Sequence, residues 1–432
     1  MQAIVDLVAR HKAGAACGIC SVCSAHPLVI EATFAHALSH GAPFALIEAT
    51  SNQVNQDGGY TGMTPEVFRD YVLSVADRVG LPRSRVLLGG DHLGPNAWTK
   101  LDAETAMARA EQMVADYVAA GFRKIHLDCS MSCADDPVPL SEAVIAARAA
   151  RLCAVSEAAW AGAGGEPPVY VIGTEVPVPG GAAEELNTLA VTAPEAALAT
   201  IDAHRRLFVE AGLECAWDRV VGLVVQPGVE FDHRKVVDYE PGAAAALSRS
   251  IVTQPHMLFE AHSTDYQQRQ ALACLVRDHF AILKVGPGVT FALREALWAL
   301  DAIERDWLGE RASGLRARMT ALMRANPEHW NRYYRSSGSA LDFDLQYSLS
   351  DRIRYYWPSA EAQAATAEMF ANLEAHPAPL PLVSQYLPSA YAAIRRGEAD
   401  AAQPASMVLA HISTVLDDYH AAVSQGPVSP HA

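Results

Sequence analysis

Long apolar runs are missing from this sequence. No uninterrupted stretch approaches the roughly 18–20 residues that a membrane-crossing helix needs, so no transmembrane segment is expected. Positive charge is in short supply: 33 Lys and Arg stand against 49 Asp and Glu, for a formal net charge of -16. So acidic a surface repels nucleic acid and anionic lipid, and neither is expected as a partner. A local basic pocket for a phosphorylated metabolite is compatible with it. Charged residues make up only 19% of the chain, while 50% of its 432 residues are hydrophobic. That balance excludes a disordered or fibrous protein and supplies a large core. No signal peptide is expected either. The opening residues carry Asp6, Arg10 and Lys12 among apolar positions and read as a short amphipathic helix. The expected setting is cytoplasmic, with the eight cysteines present as thiols rather than as a disulfide framework. Cys17, Cys20 and Cys23 lie three apart in an extended run, so they face opposite sides and are not read as a metal site.

What is present is alternation. Apolar runs at 15–23, 43–50, 85–90, 123–128, 168–175, 219–226, 257–261 and 280–285 are separated by Ala/Leu-rich helical patterns. The helical patterns include 64–79, 103–120, 141–160, 194–211, 266–278 and 290–310. Strands alternating with helices pair in parallel and are buried on both faces, which explains continuous rather than alternating apolar runs. Eight such units predict an α/β fold, a (β/α)8 TIM barrel over residues 1–312. A doubly wound open sheet is the rival. Against it, no Gly-x-Gly-x-x-Gly fingerprint follows the first run. Residues 313–424 change character and read as a helical extension packed on the barrel, with helices at 359–375 and 404–424. Residues 425–432 read as a mobile tail.

In such a barrel the chemistry sits at the carboxyl ends of the strands. There the sequence places Glu48 and Asn52 after the second run, Asp91-His92 after the third, and Asp128 after the fourth. Glu175 ends the fifth and Gln226 the sixth, with His233 in the loop beyond. Glu260-Ala-His262-Ser263-Thr264 follows the seventh, and Lys284 and Gly286 the eighth. Carboxylates and imidazoles are costly to bury unless paired or metal-bound. Their convergence predicts a divalent metal ion, Zn2+ first, on His92, Glu175, His233 and His262. His233 reads equally well as a plain loop residue. His126, inside a strand, reads as a satisfied core histidine. Glycines flanking Asp91-His92 are read as allowing close approach of a ligand. For an anionic substrate, Ser263, Thr264, Lys284 and Gly286 are the candidate phosphate site, with backbone N–H groups at a helix start. A Lys284 paired with a carboxylate such as Glu260 is the equal alternative. Arg352 and Arg354 read as an ion pair to the barrel, with an anion clamp as the alternative.

Several segments carry a resemblance. They include Leu46-Ile-Glu-Ala-Thr-Ser-Asn-Gln-Val-Asn-Gln56, Leu88-Gly-Gly-Asp-His-Leu-Gly-Pro-Asn96, Phe259-Glu-Ala-His-Ser-Thr-Asp-Tyr266 and Tyr347-Ser-Leu-Ser-Asp-Arg-Ile-Arg-Tyr-Tyr-Trp-Pro358. On these the chain resembles the accessory, Z-type subunit of class II tagatose-1,6-bisphosphate aldolase, usually labelled non-catalytic. The resemblance implies a barrel, a place in galactitol or N-acetylgalactosamine catabolism, and a Y-type catalytic aldolase subunit as partner. A ketose or ketose phosphate is the implied substrate, and self-association of the chain is left open. By analogy with catalytic class II aldolases, Asp91 matches the proton-transferring Asp, His92 the first metal ligand, Glu175 the Glu, and His262 the last ligand. Gln226 stands where a His should close the sixth strand, and Ser263-Thr264-Asp265 replaces the usual Gly-Gly-Ser. Three functions follow as expectations: a metal-dependent retro-aldol component, a stand-alone ketose 4-epimerase of fructose/tagatose type, or a non-enzymatic stabilising subunit.

Overall fold

The computed structural model describes residues 1–173 and 189–424. Eight strands form a closed parallel barrel: β1 (Ile19–Val22), β2 (Ala45–Thr50), β3 (Val86–Leu93), β4 (Lys124–Leu127), β5 (Val169–Gly173), β6 (Val220–Val225), β7 (Leu258–Ala261) and β8 (Ile282–Val285). Neighbours in the chain are neighbours in the barrel. β8 closes on β1 with Ile19 opposite Ile282 and Val22 opposite Val285. Each strand falls inside one of the predicted apolar runs except β3, which runs on past 90 through Asp91-His92-Leu93. The reason is visible in β6, where every residue is buried between barrel interior and outer helices.

Helix starts follow capping chemistry. Asp102 accepts the Thr105 N–H at 2.9 Å to open Ala103–Ala119, and Ser359 accepts the Ala362 N–H to open Ala360–Ala375. Helices at Pro27–Ser39 and Pro241–Ser250 also belong to the ring and were not expected from pattern. Pro27–Ser39 is apolar nearly all round, with Val29, Ile30, Ala32, Thr33 and Phe34 buried, so it lacks a clear stripe.

After the helix Pro287–Leu308, six further helices lie between Leu315 and Val423. The last, Pro404–Val423, packs against Pro27–Ser39, Arg269–Arg277 and Pro287–Leu308, burying Met407, Val408, Ile412 and Leu416. Its end is tied to the barrel by the Gly18 N–H donating to the Val423 carbonyl at 3.0 Å. The segment between Trp330 and Trp357, which includes the short helical turn Arg352–Tyr355, lies across the carboxyl ends of the strands.

Candidate functional site at the barrel mouth

Adjacent residues of a strand point to opposite faces. Asp91 and His92 nevertheless share one site, because β3 leaves regular geometry there. His92 has a left-handed backbone (φ 50°), and the β3–β4 register shifts between Gly90 and Leu93. Ser263, directly after His262, is left-handed too (φ 52°). Such conformations cost non-glycine residues about 1–3 kcal/mol each and persist where surrounding packing enforces them.

Beneath the mouth lies a layer of buried charge. Lys124 of β4 pairs with Glu48 of β2 at 2.5 Å and Glu260 of β7 at 2.8 Å. Lys284 of β8 pairs with Glu48 at 2.7 Å and with Asp91. Burial pushes both ammonium groups down, but the facing carboxylates outweigh it and raise them. Burial likewise opposes ionisation of Asp91, yet His92, Lys284 and His126 hold its carboxyl well below the carboxylate range. Glu260 is held down against burial by Lys124 and Lys284, and Asp128 by its bond from His92. Glu48, Asp91, Asp128 and Glu260 carry four formal negative charges against two on Lys124 and Lys284. Among the described residues, carboxylates thus outnumber ammonium groups in this layer, an arrangement that favours a cation.

Three imidazoles complete it. His92 Nδ1 donates to Asp128 Oδ2 at 3.0 Å, and its Nε2 faces Asp91 Oδ2 at 3.6 Å. His262 Nε2 donates to Glu260 Oε1 at 2.9 Å. His126 Nε2 lies 3.2 Å from the Gly173 carbonyl, which only accepts, so the proton sits there. His126 Nδ1 then accepts the His92 N–H at 3.2 Å and faces Asp91 Oδ1 at 3.0 Å. Burial lowers the His126 pKa, and the facing Asp91 raises it in part. Ligand atoms of Asp91, His92, His126 and His262 all lie within 4.8 Å of one another. The donor set and its charge fit a divalent transition metal.

Above the cluster is a cavity of about 350 Å³, within the range of small-molecule sites. Asp91, His92, His262, Ser263, Lys284 and Gly286 line it from the barrel, with Asn52 and Gln53 beside them. Arg332, Tyr333, Arg352, Arg354 and Tyr355 roof it. Arg352 and Arg354 form no ion pair among the described residues, a correction to the expected salt bridge. Arg352 stacks over Tyr333, and Arg354 donates to the Asp351 carbonyl at 3.0 Å and the Tyr355 hydroxyl at 3.2 Å.

The predicted phosphate cradle is already filled. The Gly286 and Gly288 N–H groups, at the start of Pro287–Leu308, donate to Asp265 Oδ1 at 2.9 and 2.7 Å. Burial pushes the Asp265 pKa up to about 6 against these two bonds, so near neutral pH the carboxylate is charged and stands where an anion would.

Other predicted residues take different places. His233 is not brought to the cluster. Its Nδ1 meets the Ser350 hydroxyl and its Nε2 the Tyr333 carbonyl, each at 3.1 Å, so it pins the roof segment to the barrel. Gln226 Oε1 accepts the Gly228 and Val229 N–H groups and shapes a turn. Thr264 donates to the Lys284 carbonyl and bonds the Tyr419 hydroxyl, so it braces strand and C-terminal helix rather than substrate. Asp128 orients His92, and Glu48 belongs to the charged layer. Lys284 pairs chiefly with Glu48 and Asp91, with Glu260 farther at 3.8 Å. Glu175 lies outside the described residues. His126, taken for a core histidine, joins the cluster instead. Its signal was Lys124-Ile-His126: residues two apart share a strand face, and Lys124 had to point at carboxylates. The flanking glycines admit neighbouring chain rather than ligand: a Cβ at Gly89 would strike the Glu48 side chain at 2.7 Å, and one at Gly94 the Asp128 carbonyl at 1.7 Å.

A closed parallel barrel with carboxylate and imidazole donors gathered at its mouth defines a (β/α)8 protein with the makings of a metal centre. The comparisons narrow this further. The family described as D-tagatose-1,6-bisphosphate aldolase subunit GatZ/KbaZ-like matches residues 4–424, and the chain belongs to that family. A solved structure from Sinorhizobium meliloti 1021, described as a probable tagatose 6 phosphate kinase, is 50% identical, with 94% of this chain and 100% of that chain covered and a TM-score of 0.87. A fructose-bisphosphate aldolase from Campylobacter jejuni aligns over 87% of this chain and 92% of its own at 15% identity, with a TM-score of 0.45.

Proposed function

We propose that the protein holds a divalent cation at the barrel mouth and performs retro-aldol chemistry on a ketose or ketose phosphate, as a component of class II D-tagatose-1,6-bisphosphate aldolase. In this reading it works beside a Y-type aldolase subunit in galactitol or N-acetylgalactosamine catabolism. The observation that carries it is the gathering of ligand atoms of Asp91, His92, His126 and His262, all buried, within 4.8 Å of one another. His92, His126 and His262 would hold the ion with Asp91 beside them, and Zn2+ suits so nitrogen-rich a set. When bound, the ion supplies Lewis-acid polarisation of the ketose carbonyl.

The chain's own groups do the rest. Asp91, kept ionised by its neighbours, takes the proton of the C4 hydroxyl as the C3–C4 bond breaks. The electron pair of that bond passes to the three-carbon keto fragment, and C4 becomes an aldehyde carbon. In the reverse direction Asp91 returns the proton. Lys124 and Lys284 serve as fixed cations. Both are raised, whereas a Schiff-base lysine must be neutral to attack a carbonyl.

Asp265 favours a second reading of the same site. A carboxylate in the backbone cradle opposes a phosphate at that end and welcomes a hydroxyl, so an unphosphorylated ketose fits there. Fructose and tagatose differ only at C4. Rotation of the released aldehyde before recombination would make the same site a 4-epimerase. The test is metal analysis of the purified chain plus an assay, without partner, on fructose, tagatose and their phosphates, for wild type and Asp91→Ala. Metal-dependent turnover that Asp91→Ala abolishes is expected. A metal-free, inert chain that still raises the activity of the Y-type subunit would instead favour a non-enzymatic stabilising role.

A further inference from the structure

A second cluster lies far from the mouth, where the helix Pro27–Ser39 meets the C-terminal helix Pro404–Val423. His36 and His40 stand one turn apart, His40 as the residue that ends the first helix, and Asp417 and His420 stand three apart on the second. Residues three or four apart share a helix face, so each helix presents a pair to the other. His36 Nε2 lies 2.9 Å from Asp417 Oδ1, and His40 Nε2 lies 3.8 Å from the same oxygen. The His36 and His40 rings stack at 4.1 Å between centroids, and the His420 ring stands 4.8 Å from His40 and 5.5 Å from His36. No step of the chemistry above uses these residues.

The outer ring nitrogens of His40 and His420 are already occupied. His40 Nδ1 lies 3.0 Å from the His36 carbonyl, so it carries the proton and leaves Nε2 as the lone-pair donor. His420 Nδ1 meets the Ser424 hydroxyl at 3.2 Å. Outer hydrogen bonds of this kind fix the ring orientation of metal-ligating histidines. Burial lowers the His36 pKa, and burial with the neighbouring His40 lowers that of His420, which leaves both neutral at pH 7 as ligation requires. Asp417 and His40 are each about two-fifths exposed, so an ion can enter from solvent.

We propose that His36, His40, Asp417 and His420 form a second divalent-cation site of zinc type, a three-nitrogen, one-oxygen set that staples the first helix of the barrel ring to the last helix of the chain. Ligation of His36 through Nε2 moves the ring proton, now facing Asp417, to Nδ1. Because an ion there bridges two helices far apart in sequence, binding favours the folded chain.

The test compares wild type with His40→Ala/His420→Ala, two partly exposed positions whose loss leaves the core intact. Zn2+ is titrated by equilibrium dialysis and bound metal is counted. The variant is expected to bind one equivalent less than wild type whatever the mouth holds, and to lose the Zn2+-dependent rise in melting temperature that wild type shows. Melting in chelator should be alike for the two proteins. With Co2+ as probe, wild type should show a tetrahedral visible absorption that the variant lacks. Equal Zn2+ stoichiometry in the two proteins would overturn the site, even if the mouth bound no metal at all.

Discussion

At the scale of single residues the mouth depends on groups that never touch substrate. Asp128 is buried and accepts the His92 Nδ1 proton, which aims Nε2 at the cluster. Asp128→Asn can present its NH2 group to that nitrogen and so favour the wrong tautomer. Outer-shell changes of this sort typically weaken metal affinity about 10–100-fold, and calorimetric Zn2+ titration of the variant should find a loss of that order. Asp265 makes a different prediction. Its pKa is raised from an ordinary 3.8 to about 6, with burial as the cause. A carboxyl raised in the folded state contributes stability that is complete below about pH 4 and is lost as pH rises through 6. Asp265→Asn keeps an oxygen for the Gly286 and Gly288 N–H groups but carries no charge. Between pH 4 and pH 7 wild type should therefore lose on the order of 2–3 kcal/mol relative to the variant. Parallel melting-temperature curves across that window would refute the assignment.

At the scale of elements, β3 shows how a strand end becomes a site. Its last residues bend so that Asp91 and His92 converge, and the bend brings Gly94 against the Asp128 backbone. A Cβ at Gly94 would sit 1.7 Å from the Asp128 carbonyl oxygen. Gly94→Ala should force that carbonyl and the Asp128 carboxylate away together. Overpacking of this kind costs about 1–3 kcal/mol. Urea unfolding should register the loss, and Zn2+ affinity should fall with it. A variant with wild-type stability and affinity would show that β3 can relax freely. The elements themselves were largely legible in the chain. Seven of the eight strands lie within apolar runs and β3 begins in one, because a parallel barrel buries both strand faces and leaves an uninterrupted signature. Helices such as Pro27–Ser39 were less legible because burial nearly all round erases the stripe.

At the scale of the whole molecule, the C-terminal helices brace the site. Tyr419, on the last helix, bonds Thr264 at 3.0 Å, and Thr264 in turn donates to the Lys284 carbonyl at 2.6 Å. Tyr419→Phe should cost about 0.5–1.5 kcal/mol in urea unfolding, the usual worth of one buried hydrogen bond. An unchanged midpoint would mean that the helix is held by its apolar face alone. The roof arginines belong to this scale as well. They give an acidic chain a local positive ceiling over its cavity, from residues that follow the last barrel strand by more than forty positions.

Sequence alone determined the barrel, the family, and the end of the fold at which Asp91, His92, His262 and Lys284 would gather, because strand periodicity and chain order are local properties. Tertiary structure alone decided that His126 joins them and His233 does not. That choice depends on which face of β4 looks inward, hinted at only by the two-residue spacing of Lys124 and His126, and on where the loop carrying His233 folds back, which no spacing records. It also decided that Asp265 takes the backbone N–H groups reserved in expectation for a phosphate, since a carboxylate 21 residues earlier in the chain than Gly286 reaches them only once β7 and β8 lie side by side.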